Sequence, residues 1–433
     1  MAHAVVIGAG IGGLTAAVAL QQRGWDVTVF ERAASLEPVG SGLAVAANAL
    51  KALDTIGVGD EIRRLSAIQG EAGIRRADGR WLMKTTEEAT SARHGDSVVL
   101  LRRADLVDAL LARLEPGTIR LNTTVKEVDP ETGRVTIEVR DLETTSGTDP
   151  GASHGTAPGP GRVTGRPHPE AGRASAPETD HPMDREPYLE ADLVVAADGI
   201  HSSVRAALFP GHPGPRYAGI TSWRILIPGG GVPGQTFESW GEGKVFGVMP
   251  LAGGLAYCYA TDAVPAGGGG GDQRAELRRL FGDWHAPIPA LLASASPENV
   301  LRNDVHHLAV PLPAMHRGKV ALLGDAAHAM TPNLGQGACQ AIEDAVVLAH
   351  VAGSGTGLDG YTAARLERTA GIVARSASIC RATRLRNPPA VRLRDVMMAL
   401  TWRLAPARMT GAMDDVLGWT PPAMPATPTI PMT

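Results

Sequence analysis

The sequence predicts an α/β fold: a Rossmann-like dinucleotide-binding domain with an inserted antiparallel-sheet domain and C-terminal helices. Three observations predict it. A glycine fingerprint follows an apolar run at the start of the chain, two glycine–aspartate segments follow apolar runs far downstream, and a block of alternating strands lies between them.

Residues 4–7 are the short apolar run of a buried parallel strand, which stops at Gly8-Ala9-Gly10-Ile11-Gly12-Gly13. Gly8 permits a tight turn and Gly10 lets backbone approach a pyrophosphate. Gly13 lets the following helix, about residues 12–23, pack closely on its strand with its N-terminal N–H groups aimed at phosphate. Gly24 ends that helix. Residues 26–30 read as the second strand, with Glu31 at its tip. A carboxylate there accepts hydrogen bonds from a ribose diol and repels a 2′-phosphate, so the site suits FAD or NAD better than NADP.

The middle segment runs from an apolar strand into Asp198-Gly199, at the carboxyl edge where open α/β sheets bind ligands. Ser202-Ser203-Val204-Arg205 follows and offers hydroxyl and guanidinium donors to phosphate. In the third segment a strand over residues 318–323 delivers Gly324-Asp325, then Pro332, Gly335-Gln336-Gly337 and a helix over about 338–351. Asp325 is placed to accept hydrogen bonds from a polyol. The glycine turn and the helix behind it suit the anion that develops on a reduced flavin. His328 reads as a structural or capping residue. Together the three segments point to one ligand, FAD.

Composition narrows the class. The 433 residues carry a net charge of −4 with a pI near 6.4, which suggests no nucleic-acid partner. Cys258, Cys339 and Cys380 are widely spaced, supporting neither a disulfide framework nor a cysteine-built zinc site, and no metal is expected. No signal peptide or membrane-spanning run is visible, and a cytoplasmic location is expected. Residues 144–187 contain no Leu, Ile or aromatic side chain and are expected to be a mobile excursion joining two hairpin strands, 134–140 and 188–196. The glycine run 267–271 reads as a flexible link into a helix over 273–281.

At this point the chain resembles the single-component FAD-dependent aromatic hydroxylases and epoxidases, the group A flavoprotein monooxygenases. The three segments carry the resemblance, with Gly40-Ser41-Gly42-Leu43 leading to Asn48, and Leu101-Arg102-Arg103-Ala104-Asp105-Leu106. It covers nearly the whole chain outside 144–187 and the last dozen or so residues. It implies that Glu31 and Arg32 hold the adenosine end, with Val125 touching adenine through its backbone. It further implies that Arg103 and Asp325 serve the pyrophosphate and ribityl region, with Gly42 and Pro332 beside the flavin. Gly335, Gln336, Gly337 and Ala338 meet the isoalloxazine, and Asp198 engages the pyridine nucleotide.

The implied reaction uses NADPH or NADH as co-substrate to reduce FAD. O₂ is then captured, and a flavin C4a-hydroperoxide passes one oxygen to an electron-rich aromatic, polycyclic or polyketide-like small molecule. The implied division gives 1–75, 101–205 and 301–360 to FAD, 76–100 and 206–300 to substrate, and 361–433 to C-terminal helices and a tail. Two alternatives stand beside this reading. One is a flavin-dependent halogenase, which needs a lysine between flavin and substrate; Lys51 and Lys84 are the lysines in the relevant stretch, and neither has such a context. The other is a non-catalytic flavin- or drug-binding protein. Oligomeric state is left open.

Substrate choice is expected within residues 216–262, where 216–228, 236–250 and 255–261 read as antiparallel strands. Trp223, Arg224, Trp240, Phe246, Val248 and Tyr257 are the candidates for the pocket. Alternation puts Trp223 and Ile225 on one face and Arg224 and Leu226 on the other, so they do not all point inward. Arg224 is either a solvent-facing or interface arginine or a clamp for a substrate carboxylate. Tyr257 stands between core packing and a phenol that hydrogen-bonds substrate; these two are the catalytic candidates. Residues 240–244 resemble bacterial urate hydroxylases, but Val245 stands where their catalytic arginine is expected, which argues against urate. Beyond Gly360, Arg365, Arg368, Arg375, Arg381, Arg384 and Arg386 read as a solvated helix face. Residues 391–404 read as a helix docked on the flavin domain, with a membrane or partner contact as the alternative.

Overall fold

The computed structural model describes residues 1–36, 41–65, 71–139, 188–228, 234–268, 270–354 and 357–422. The excursion 144–187, Gly40 and most of the tail lie outside the described residues. The fold is mixed α/β, built on two principal sheets.

Strand His3–Ile7 lies inside a six-stranded sheet, flanked in parallel by Asp26–Phe30 on one side and Leu193–Ala196 on the other. Val320–Leu322 continues the sheet in parallel beyond Leu193–Ala196. These strands are short, apolar and almost wholly buried, as a parallel sheet covered on both faces requires. The first, second and third glycine segments therefore leave the carboxyl ends of three adjacent strands, which brings distant stretches of sequence to one sheet edge. Helix Ile11–Gln21 is apolar nearly all round because it packs between this sheet and the buried helix Gly337–Ser354.

The second sheet has seven strands, in the order Val300–His307, Arg216–Pro228, Leu255–Asp262, Lys244–Leu251, Thr236–Trp240, Glu71–Arg76 and Trp81–Thr86. The expected boundaries at residues 75 and 300 fall inside two of its strands. The run 236–250, expected as one strand, is two: the chain turns back at Gly241–Gly243, where Gly243 takes φ 71°, a conformation glycine alone adopts without strain. The hairpin expectation holds for Tyr188–Glu190, which pairs antiparallel with Arg134–Val139, but the run 188–196, expected as one strand, is two, and Leu193–Ala196 passes into the parallel sheet.

Register sorts the side chains of this sheet into two faces, because directly paired residues point the same way. Trp223, Ile225, Phe237, Phe246, Val248, Cys258 and Ala260 face helices Gln273–Phe281 and Ile288–Ser294 and form a closed apolar core with them. Arg224, Tyr259, Gly247 and Glu238 form one row of the other face, and Leu226, Tyr257 and Met249 the next.

Helix Gly357–Thr383 corrects one expectation: Arg365 is fully buried rather than part of a solvated face. Helix Pro388–Leu404 packs against strand Trp81–Thr86 of the seven-stranded sheet rather than on the parallel-sheet half.

Candidate active site

A single cleft is lined by Gly10, Gly12, Gly13, Arg103, Gly199, Gly324, Asp325, Gly337 and Ala338, so residues from all three segments converge on it. The glycines differ in what they permit. A side chain on Gly13 would collide with the carbonyl oxygen of Gly8, and one on Gly12 would lie 2.5 Å from Leu323 Cδ2, so both serve close packing. A Cβ on Gly10 would meet nothing within 4 Å, since it points into the open cleft. Helix Ile11–Gln21 starts there with no side-chain cap, so its first N–H groups are free to bind an anion.

Asp325 sits in this cleft with its side chain exposed to the open space and no hydrogen-bond donor from the described residues. Desolvation by the cleft walls pushes its carboxyl up, and His328 and Arg103 pull it partly back. Burial and the Arg224 charge lower the Arg103 pKa, while Asp325 opposes them. A carboxylate and a guanidinium held in one cleft with a helix N-terminus match the hydroxyl, phosphate and anionic groups of a dinucleotide.

Around the cleft, both oxygens of the Glu31 carboxylate hold backbone, accepting from Ala9 N at 2.8 Å and Ala33 N at 2.9 Å. Arg32 beside it is exposed. Thr123 N donates to Glu31 O at 2.9 Å, which puts Val125 two residues further along the strand that leaves this point. Pro332 opens the short turn Pro332–Leu334, and Gly335 follows in the left-handed region at φ 62°, facing Ala44. Gly42, on the same strand as Ala44, lies against the Tyr257 ring so closely that a side chain would overlap it. The Gly335–Gly337 turn and the Tyr257 ring thus both lie against strand Gly42–Val45.

Asp198 is held at its own turn, where burial pushes its carboxyl up, Oδ2 accepts from Val204 N at 3.4 Å and Oδ1 is buried without a partner. Ser202 and Arg205 are not phosphate donors. Ser202 caps the helix Ser203–Leu208, and Arg205 donates to Ile200 O at 2.7 Å and Ala326 O at 2.9 Å, tying the second segment to the third.

Behind both turns lies a buried ionic network that the sequence reading missed. Asp344 accepts from Gly324 N at 3.0 Å and pairs with His328 Nε2 at 2.5 Å and Arg365 Nε at 2.7 Å. Burial pushes its carboxyl up, but His328 and Arg365 outweigh burial and hold it down at about 2. Glu343 pairs with Arg365 and with Arg368 at 2.8 Å, and accepts from Asn48 Nδ2 at 2.6 Å; Asn48 also donates to Gln336 Oε1 at 3.0 Å. One network therefore fixes Gly324 and Gln336, the roots of two cofactor turns. Its available signal was an acidic pair, Glu343-Asp344, inside an otherwise apolar helix.

The pocket candidates divide. Trp223, Phe246 and Val248 are corrected: they belong to the closed core on the far face, and Trp223 Nε1 donates to Gln273 Oε1 at 2.9 Å. Arg224 and Tyr257 lie on the facing side. Arg224 Nη2 donates to Asn303 Oδ1 at 2.7 Å, which leaves its Nε buried without a partner. Burial pushes the Tyr257 phenol up to about 12, although Arg224 opposes it. Trp240 is on the same face but further out, under the Arg394 guanidinium at 5.3 Å, with Nε1 donating to Glu238 Oε2 at 2.9 Å. Glu238 was not a candidate. It also accepts from Tyr259 Oη at 2.6 Å, and burial pushes its carboxyl up against those two donors.

A fold with three dinucleotide turns on one sheet edge and a second sheet facing them defines a flavoprotein. The family model described as an FAD binding domain matches residues 1–149 and 168–376. The chain belongs to the group A FAD-dependent monooxygenases and is an enzyme that takes FAD as cofactor. It is 35% identical to aurachin C monooxygenase/isomerase of Stigmatella aurantiaca, over 92% of this chain and 93% of that protein. It is 31% identical, over 80% of each chain, to 2-heptyl-3-hydroxy-4(1H)-quinolone synthase of Pseudomonas aeruginosa. The crystal structure of Klebsiella pneumoniae HpxO complexed with FAD and uric acid superposes with a TM-score of 0.79 at 27% identity, covering 96% of each chain.

Proposed function

We propose that the protein uses NAD(P)H and O₂ to hydroxylate or epoxidise an apolar aromatic small molecule held between FAD and the facing side of the seven-stranded sheet. In this reading the parallel sheet is a Rossmann-like FAD unit and the seven-stranded sheet is the substrate unit inserted in it. When bound, FAD takes electrons from the nicotinamide and supplies the oxygen-transfer chemistry. The observation that carries the reading is the convergence of Gly10, Arg103 and an unpartnered Asp325 in one cleft, with the Arg224 charge near enough to lower the Arg103 pKa.

Each group then has a task. Glu31, Arg32 and Val125 take the adenosine end, and Arg103 and Asp325 the pyrophosphate and ribityl chain. The Gly335–Ala338 backbone meets the isoalloxazine, and Asp198 engages the nicotinamide nucleotide. Leu100, Tyr257 and Leu251, with Ala44, Leu226 and Met249, form an apolar cluster on the facing side that excludes water. The Tyr257 phenol stays protonated at neutral pH and donates a hydrogen bond to a substrate oxygen rather than acting as a base.

This lining suits an alkylated aromatic better than urate, for which Val245 offers no charge. The name of the Pseudomonas relative, which carries a heptyl quinolone, points the same way. A halogenase is disfavoured because Lys51 donates to Leu417 O at 3.4 Å and Lys84 pairs with Glu71, away from the cleft. The test is NAD(P)H oxidation in the presence of alkylated 4(1H)-quinolones and of urate. Stimulation by the quinolones alone supports the reading; stimulation by urate alone overturns the substrate class.

A further inference from the structure

Helix Pro388–Leu404 turns an apolar stripe to solvent. Leu393, Val396, Met397, Leu400 and Leu404 are between 46% and 72% exposed, and their spacing of three and four residues puts them on one face. The other large apolar side chains so exposed among the described residues, Met1, Val139, Tyr188 and Val310, are scattered. The opposite face of the helix holds it to the fold. Val391 and Asp395 are buried, and Arg394 donates to Asp395 Oδ1 at 2.8 Å and to Gly241 O at 3.4 Å. A surface helix ordinarily buries its apolar face; this one presents it.

The charges around the stripe are of one sign. Arg392, Arg403 and Arg408 are exposed and make no ion pair among the described residues. Asp395 is the one carboxylate between residues 388 and 411, and it is buried and paired. Asp414 and Asp415, next along the chain, are engaged by Arg93 and Arg375. In a chain of net charge −4, this face is a local concentration of cations beside apolar side chains.

We propose that the face docks on an anionic lipid surface, the stripe entering the headgroup boundary while Arg392, Arg403 and Arg408 meet lipid phosphates. A second copy of the chain is the competing occupant, and the charges argue against it: two such faces would bring arginines together with no carboxylate between them. Five apolar side chains are also far from the roughly 20–30 residues a side that a stable interface engages. Docking would hold the substrate sheet, to which this helix is fastened, at the bilayer surface. The inference rests on the helix alone and not on the reaction proposed above.

The test is co-sedimentation of the FAD-loaded full chain with phosphatidylcholine vesicles, plain or doped with phosphatidylglycerol. Binding to the anionic vesicles that weakens with salt is expected. At about fivefold per arginine, Arg392→Ser with Arg403→Ser should weaken partition about 25-fold. Leu400→Ser with Leu404→Ser should weaken it tenfold or more, and both variants should keep wild-type FAD content. Failure of the wild type to bind anionic vesicles at low salt overturns the proposal, as does binding that neither double variant weakens. A dimer in sedimentation velocity that Leu400→Ser with Leu404→Ser abolishes would assign the face to a second copy instead.

Discussion

The two sheets differ in what they present. The parallel sheet contributes backbone: glycine turns at its strand ends, a free helix N-terminus, and behind them a buried ionic network. The seven-stranded sheet contributes side chains, one row at a time, with a sealed apolar core at their backs. Of the glycines at these turns, Gly8, Gly12 and Gly13 leave no room for a side chain, while Gly10 and Gly199 open on free space. In the reading proposed above, substrate choice falls to the Arg224 and Tyr257 face, whose side chains are separate from the core behind them.

The sharpest way to break that contrast is Arg365→Leu. It leaves Glu343 and Asp344 buried without their main counter-charge, which should cost about 3–5 kcal/mol of stability. It should also lower the temperature at which flavin is released. Thermal melts followed by flavin fluorescence measure both, and a wild-type melt would mean that the network does not hold the turns.

Next in size is a paired substitution across the sheet. Phe246→Ala opens the far core and should cost about 3–5 kcal/mol with an unchanged KM for substrate. Tyr257→Phe removes one hydroxyl from the facing side and should change KM or kcat with stability within about 0.5 kcal/mol. Denaturant melts beside steady-state kinetics decide the matter; if Phe246→Ala alone alters KM, the two faces have been assigned the wrong way round.

On the cofactor side, Asp325→Ala should lose about 1.5–3 kcal/mol of FAD affinity. Gly10→Ala should keep the fold, since the added methyl would meet nothing within 4 Å, yet lose FAD affinity if FAD fills that space as proposed. Titration of FAD into each apo variant checks this, and unchanged affinity in both would detach FAD from the cleft.

The smallest effect expected is at Glu238. Because burial raises its pKa in the folded protein, the folded state holds the proton more tightly than the unfolded chain. Its contribution is favourable at low pH and is lost as pH rises from the unfolded value, about 4.3, through the raised one. Glu238→Gln should therefore gain stability relative to wild type at neutral pH, with the gain vanishing in acid. Melts across that range test it, and a gain that grows toward acid would reverse the assignment.

What was legible in the sequence follows the same division. The turns at Gly8 to Gly13, Asp198 and Asp325 were readable because a short apolar strand broken by glycine leaves few other readings, and the structure brings Gly10, Gly199 and Asp325 to one cleft. Strands and their alternation were readable too, and alternation alone separated Trp223 from Arg224. What it could not say is which face looks toward the cofactor, so Trp223, Phe246 and Val248 entered the pocket although helices Gln273–Phe281 and Ile288–Ser294 cover them. Arg365 was misread because its partners, Glu343 and Asp344, lie on a different helix, and a charge on a helix reads as solvated until its neighbour is known.

The central claim is that FAD in the glycine-walled cleft transfers oxygen to an aromatic held against the Tyr257 side of the sheet. Turnover of an alkylated 4(1H)-quinolone under ¹⁸O₂, with NAD(P)H consumption followed alongside mass analysis of the product, tests it most directly. The account predicts one labelled oxygen atom in the product for each NAD(P)H consumed. Product oxygen drawn from water, or NAD(P)H oxidation that yields hydrogen peroxide without oxygenated product, would contradict it.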